Sequence, residues 1–206
     1  AGEKFAVITA YDFTFSKLIE NAAIEVVLVG DSLGNVIQGC DSTLPVTIDD
    51  MAYHTAAVKR GNNRALLMTD MPFMSYAKEV QALDNAAILM QAGAQMVKLE
   101  GGACMADTIG FLTQRGIPVM ARIGLTPQSS HTMRGFKAQG RDTDSWSRDE
   151  ADARAVCAAG AFAFVLRGWL RVWRIKLPKI SRHRLLGLGR LWRVMVKYWR
   201  WKICLV

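Results

Sequence analysis

Cysteine is scarce in this chain of 206 residues: Cys40, Cys104, Cys157 and Cys204 lie far apart, with no CxxC pair among them. That spacing argues against a disulfide framework or a zinc knuckle and fits a reducing cytoplasm. Long apolar runs are missing too. No stretch approaches the roughly 20 residues of a membrane span, and no leader-peptide pattern opens the chain. Neither a P-loop nor a GxGxxG fingerprint is present, although GDSLG at 30–34 and EGG at 100–102 are glycine turns that let backbone approach a ligand. The most local absence is of acid. Residues 167–206 hold none of the 18 Asp and Glu, yet 12 of the 26 Lys and Arg and five of the six tryptophans. Residues 1–166 keep 14 basic and 18 acidic side chains, a net charge of −4, so the +8 of the whole chain misleads about its partners. Two compositions meet near Leu166, and they need separate arguments. At 51% hydrophobic and 21% charged, the chain as a whole can bury a substantial core.

What the first part contains is a rhythm. Short aliphatic runs at 5–12, 25–31, 64–70, 94–100, 117–124 and 159–166 alternate with helical candidates near 13–22, 47–60, 77–92, 103–115 and 148–158. Nearly continuous apolar strands separated by helices predict a parallel sheet built of six βα units. A doubly wound sheet could use all six, whereas a (β/α)8 barrel would lack two. The second, third and fourth strands each end in a carboxylate: Asp31, Asp70 and Glu100. Side chains alternate along a strand, so Lys98 and Glu100 share a face. Ligands of parallel α/β proteins sit at the C-terminal strand ends, which makes these acids a candidate site. Hard oxygen donors with no His or Cys beside them suit Mg2+. A helix-capping role would explain one such acid, but three on successive strands point to a site. The polar segment 125–141 reads as a substrate loop or lid. His54 sits in a helical run as a surface or satisfied histidine, and Met68, Met71 and Met74 read as packing residues.

The strings TAYD (9–12), VGDSLG (29–34), DSTLPVT (41–47), DMPFMSY (70–76), VKLEGG (97–102), IPVMARIGLTPQS (117–129) and GFKAQGR (135–141) follow one another in a fixed order. Together they resemble the ketopantoate hydroxymethyltransferase family, over about residues 2–166. The resemblance implies a (β/α)8 TIM barrel of the phosphoenolpyruvate/pyruvate type, assembled as a homo-oligomer in the cytoplasm. Here that barrel is expected to be truncated to about six units, without the helix that closes its bottom. It implies a transferase of pantothenate biosynthesis that moves a hydroxymethyl group from 5,10-methylenetetrahydrofolate to 3-methyl-2-oxobutanoate, giving 2-dehydropantoate. Carried over by position, it makes Asp31, Asp70 and Glu100 the Mg2+ shell, and Asp31, Ser32, Asp70 and Lys98 the groups that hold the α-keto acid.

Two positions depart from the family pattern. The glutamate base expected in a VLE string at the end of the sixth strand is replaced in Val165-Leu166-Arg167. A guanidinium stays protonated throughout the accessible pH range and cannot accept a proton, so the family's catalytic base is not retained. Arg122 stands where the resemblance leads one to expect histidine. From Arg167 onward the likeness stops. Residues 167–206 form a basic, tryptophan-rich tail in which Arg190, Arg193, Lys197 and Arg200 fall on one helical face and Trp192, Met195 and Trp199 on another. That is the pattern of a cationic appendage for a membrane surface or a nucleic acid. The preferred reading is a one-nucleotide shift of the coding frame near codon 167, since alternative codings of the tail recover strings of the family's C-terminal barrel. On either reading, six strands alone leave two open sheet edges.

Overall fold

The aliphatic runs become strands because β-branched and long apolar residues fill both faces of a pleated layer that is covered on each side. In a computed structural model, the backbone is described for residues 6–124, 143–167, 184–188 and 204–205, and side chains within 6–123 and 149–165. The polar segment at 125–141 and the expected amphipathic faces at 190–200 lie outside these residues. The strands are β1 (Ala6–Thr9), β2 (Val26–Val29), β3 (Leu66–Asp70), β4 (Met96–Glu100), β5 (Val119–Gly124), β6 (Ala163–Arg167), β7 (Arg184–Leu188) and β8 (Cys204–Leu205). The helices are α1 (Phe13–Asn21), α2 (Leu33–Val36), α3 (Ile48–Gly61), α4 (Glu79–Gln91), α5 (Ala106–Thr113) and α6 (Thr143–Ala158). A 3-10 turn at Ala103–Met105 leads into α5.

Helix starts follow local capping chemistry. Asp12 accepts a hydrogen bond from the Phe15 amide at 2.8 Å and opens α1. Thr47 and Asp50 form a reciprocal capping box at the start of α3, whose first turn carries Asp49 and Asp50 and whose last carries Lys59 and Arg60, as the helix dipole favours. His54 on that helix places Nδ1 2.6 Å from the Tyr11 carbonyl oxygen and packs edge-on against the Tyr11 and Tyr53 rings, so it is a satisfied histidine. The short helix α2, directly behind the GDSLG turn, is an element that the periodicity did not predict. Four residues are too few to show a helical period.

All ladders are parallel, and the strands lie in the order β7-β6-β5-β4-β3-β2-β1-β8, so each βα unit adds its strand beside the previous one. This is the architecture of a curled barrel sheet rather than a doubly wound one, whose strand order would reverse. Alternation sorts the side chains into two layers. Val27, Leu67, Val97, Leu99, Val119, Ala121, Ile123 and Phe164 face the helices, against Met51, Val58, Leu89, Ile109, Leu112 and Val156. Val7, Val26, Met68, Met96, Met120, Ala163 and Val165 form the inner layer on the concave side. Met68 and Met71 pack as expected. Met74 does not: it is exposed and holds a positive φ of 61°.

Six strands carry the βα repeat, but the edges are not bare. Residues of the basic tail add β7 parallel to β6, with Ala163 opposite Arg184, and the two-residue β8 parallel to β1. β7 and β8 come within 8 Å of each other, Cα to Cα, so the sheet curls most of the way round. Unpaired strand edges attract any extended chain, which explains why the tail lends strands to both. Among the described residues no helix is long and apolar enough to cross a membrane, and Cys40 and Cys104 are free thiols.

Candidate functional site at the C-terminal mouth

The parity that puts Met68, Met96 and Met120 on the concave side puts the next inward positions at its C-terminal end: Asp70 on β3, Lys98 and Glu100 on β4, and Arg122 on β5. Register then makes neighbours of them, because Asp70 pairs with Lys98 and Glu100 with Arg122. All four are buried, as is Asp31 in the turn after β2.

Two ion pairs result. Lys98 Nζ donates to Asp70 Oδ1, and Arg122 Nη1 donates to Glu100 Oε1 at 2.6 Å. The Asp31 amide donates to the other Asp70 oxygen, Oδ2, at 3.2 Å. Asp70 therefore ties the turn after β2 to strand β4. Its carboxyl is nevertheless held above the usual carboxylate range: burial is the main cause, the Asp31 charge adds to it, and Lys98 offsets part.

Around these charges stand two phenols. Tyr11 Oη lies 2.8 Å from Ser32 Oγ, and Tyr76 Oη accepts the Glu100 amide at 3.3 Å. Burial raises both phenol pKa values, and the Glu100 charge raises that of Tyr76 further, so both stay protonated at neutral pH. Neither tyrosine was singled out from the sequence, although each lies in a string that was: TAYD and DMPFMSY. Gly30 is required by proximity. A Cβ there would meet Ser32 Oγ at 2.9 Å, Asp70 Oδ2 at 3.6 Å and Tyr11 Oη at 3.7 Å, filling the concavity between the β2 turn and Asp70.

The structure sets the expected residues along one rim in two groups, Asp31, Ser32, Asp70 and Lys98 on one side and Glu100 with Arg122 on the other, and among the described residues it does not gather the three acids expected as the Mg2+ shell into one cluster. The two sides differ in what they can do. Asp31 and Asp70 offer hard oxygens from adjacent strand ends, and Mg2+ is commonly held by one or two carboxylates while keeping water or substrate in its other positions. The donor set at those two residues fits such an ion. Glu100 engages Arg122, and among the described residues no three His, Cys, Asp or Glu side chains form a ready-made metal cage. Arg122 itself is 4% exposed, and its Nε and Nη2 have no hydrogen-bond partner among the described residues. Buried donors left unmade typically cost about 1–3 kcal/mol each, more for charged groups.

Known proteins resemble this chain in sequence and in fold. The sequence profile of the ketopantoate hydroxymethyltransferase family matches residues 1–171. The 3-methyl-2-oxobutanoate hydroxymethyltransferase of Colwellia psychrerythraea is 61% identical over 165 residues, covering 80% of this chain and 62% of its own. That of Acinetobacter baumannii (strain SDF) is 54% identical over 165 residues, covering 80% and 61%. The chain thus spans about three fifths of the length of the curated relatives it matches. Among solved structures, a phosphonopyruvate hydrolase in complex with oxalate and Mg2+ superposes with a TM-score of 0.70 at 13% identity, over 90% of this chain and 67% of that one. A 2,3-dimethylmalate lyase of the PEP mutase/isocitrate lyase superfamily gives 0.68 at 15%, over 90% and 66%. At such identities these two structures speak for the fold.

Proposed function

Because the chain belongs to the ketopantoate hydroxymethyltransferase family, we propose that its C-terminal mouth binds 3-methyl-2-oxobutanoate together with Mg2+, as the substrate half of a hydroxymethyl transfer from 5,10-methylenetetrahydrofolate. The observation that carries this reading is the Asp31–Asp70–Lys98 cluster, buried at the ends of three adjacent strands around the concavity that Gly30 leaves open. Asp31 and Asp70 would hold the ion. Bound there, it supplies Lewis acidity that makes the C3 proton of the keto acid easier to remove.

The remaining roles fall to the protein. Lys98, fixed by Asp70, presents an ammonium to the oxygen on which negative charge develops, a preorganised donor that needs no rearrangement during reaction. Ser32, held by Tyr11, orients a hydroxyl into the same concavity. Burial of Asp31, Asp70 and Lys98 excludes water from them and strengthens their electrostatic contacts. The proton itself has no acceptor at the end of β6, where Arg167 stands in register with Gly124. We therefore assign binding to this chain and expect turnover to be impaired.

Calorimetric titration separates the two. Mg2+ and 3-methyl-2-oxobutanoate should each bind more tightly in the presence of the other, and Gly30→Ala, by filling the concavity, should weaken keto-acid binding by at least about tenfold. Titration heats that remain at the dilution level for both ligands, alone and together, would overturn the assignment.

A further inference from the structure

The concave face of the sheet has a second end. Where β2 to β6 begin, opposite the mouth, lies a cavity of about 350 Å3. Its floor is Met68, Met96 and Met120. Each stands two residues before a charged group of the mouth, on Asp70, Lys98 and Arg122, so alternation sets the cavity one layer beneath the ion pairs. Val26, Leu66 and Ala163 add apolar wall, and Phe162 stands at the edge, 39% exposed. A concave, mostly apolar volume of this size with a few polar groups is the usual form of a small-molecule site.

The polar groups at its entrance are unequally engaged. Glu25 accepts the Ala6 amide at 2.9 Å, and Gln95 Oε1 accepts the Leu67 amide at 3.0 Å. Lys59 and Arg64 are exposed and form no ion pair among the described residues. The Lys59 stem is held in place: Gly93, at a φ of 113°, leaves the room that its methylenes fill, and a Cβ there would lie 2.5 Å from Lys59 Cγ. Its ammonium reaches the Asn62 carbonyl at 3.4 Å, a long contact that leaves further donors over. We propose that this cavity binds an unbranched monocarboxylate of medium chain length, with the alkyl chain on the methionine floor and the carboxylate at Lys59 and Arg64. Two cations against one acid leave a surplus of one positive charge, which a single carboxylate balances. Three flexible thioether side chains adapt their shape to an alkyl chain as branched side chains do not. The site is separate from the mouth and independent of the keto-acid reading.

The test titrates hexanoate, octanoate, decanoate and neutral decanol by calorimetry, below micellar concentrations, into the full chain, Ala163→Phe and the double variant Lys59→Gln/Arg64→Gln. Circular dichroism of each variant checks that the fold persists. In the parent, affinity should rise about fourfold with each methylene from hexanoate to decanoate, and decanoate should bind at least about tenfold more tightly than decanol. Ala163→Phe, which fills the cavity, should weaken decanoate and decanol alike by at least about tenfold. The double variant should bring decanoate down to the level of decanol and leave decanol unchanged. No saturable binding, no gain with chain length, or equal affinities of decanoate and decanol in the parent would overturn the assignment. So would decanoate affinity that is unchanged in Ala163→Phe, which places the ligand elsewhere on the chain, or unchanged in the double variant. If Ala163→Phe does not fold, the chain-length series and the double variant, whose altered side chains are exposed, decide.

Discussion

Lys98→Met is expected to destabilise the fold by about 3–5 kcal/mol at neutral pH, because it removes one partner of a fully buried ion pair and leaves Asp70 without its counter-ion. The direction with pH follows from Asp70. Its folded pKa already lies above the unfolded value, since burial and the Asp31 charge outweigh Lys98. Without Lys98 it rises further. An acid with a raised folded pKa costs stability at every pH above its unfolded pKa, and that cost fades as pH falls through the folded pKa and the carboxyl takes up its proton. The variant should therefore differ most from the parent near neutrality, and the gap should narrow on acidification. Urea unfolding at several pH values measures this. A gap that stays constant or widens toward acid would show that Asp70 does not depend on Lys98. The double variant Asp70→Leu/Lys98→Met should recover much of the loss, since replacing both members of a buried pair by apolar groups is often neutral.

The second large effect concerns the missing base. Arg167 ends β6 in register with the last residue of β5, at the same end of the sheet as Glu100 and Arg122. Arg167→Glu puts a carboxylate where the family resemblance places the proton acceptor. With Mg2+ in deuterated solvent, exchange at C3 of 3-methyl-2-oxobutanoate should rise by about 10²–10⁴ over the parent chain, the usual contribution of a positioned general base. Nuclear magnetic resonance reads this exchange without the folate co-substrate, so it isolates proton removal from group transfer. An unchanged rate, with keto-acid binding intact, would rule position 167 out as the site of the base.

Much of this arrangement was legible in the residues. Apart from α2 and the early start of α6 at Thr143, the strands and helices of the first 166 residues fall close to where apolar periodicity puts them, because a parallel sheet covered on both sides writes itself as uninterrupted aliphatic runs. The acids at strand ends could be placed on one rim from alternation alone, as could the shared face of Lys98 and Glu100. Which acid would meet which cation could not. That depends on register, which puts Asp70 beside Lys98 and Glu100 beside Arg122, and a single strand carries no record of its neighbour's offset. Tyr11 and Tyr76 were hidden for a related reason. An aromatic in an apolar segment reads as core until the backbone shows where its hydroxyl ends. The strands donated by the tail were unreadable in sequence, because a stretch crowded with Trp, Lys and Arg has no period-2 pattern that fits a barrel interior.

The two ion pairs also act on folding. Each joins adjacent strands at matching positions, with inward-facing groups on β3, β4 and β5. Slippage of β4 by a single residue would swing Lys98 and Glu100 outward into the oily layer among Leu89, Ile109 and Leu112, stranding four ionised groups without mates. The aliphatic stretches of β4 would tolerate that error. The charges would not, so they proofread the assembly of the staves.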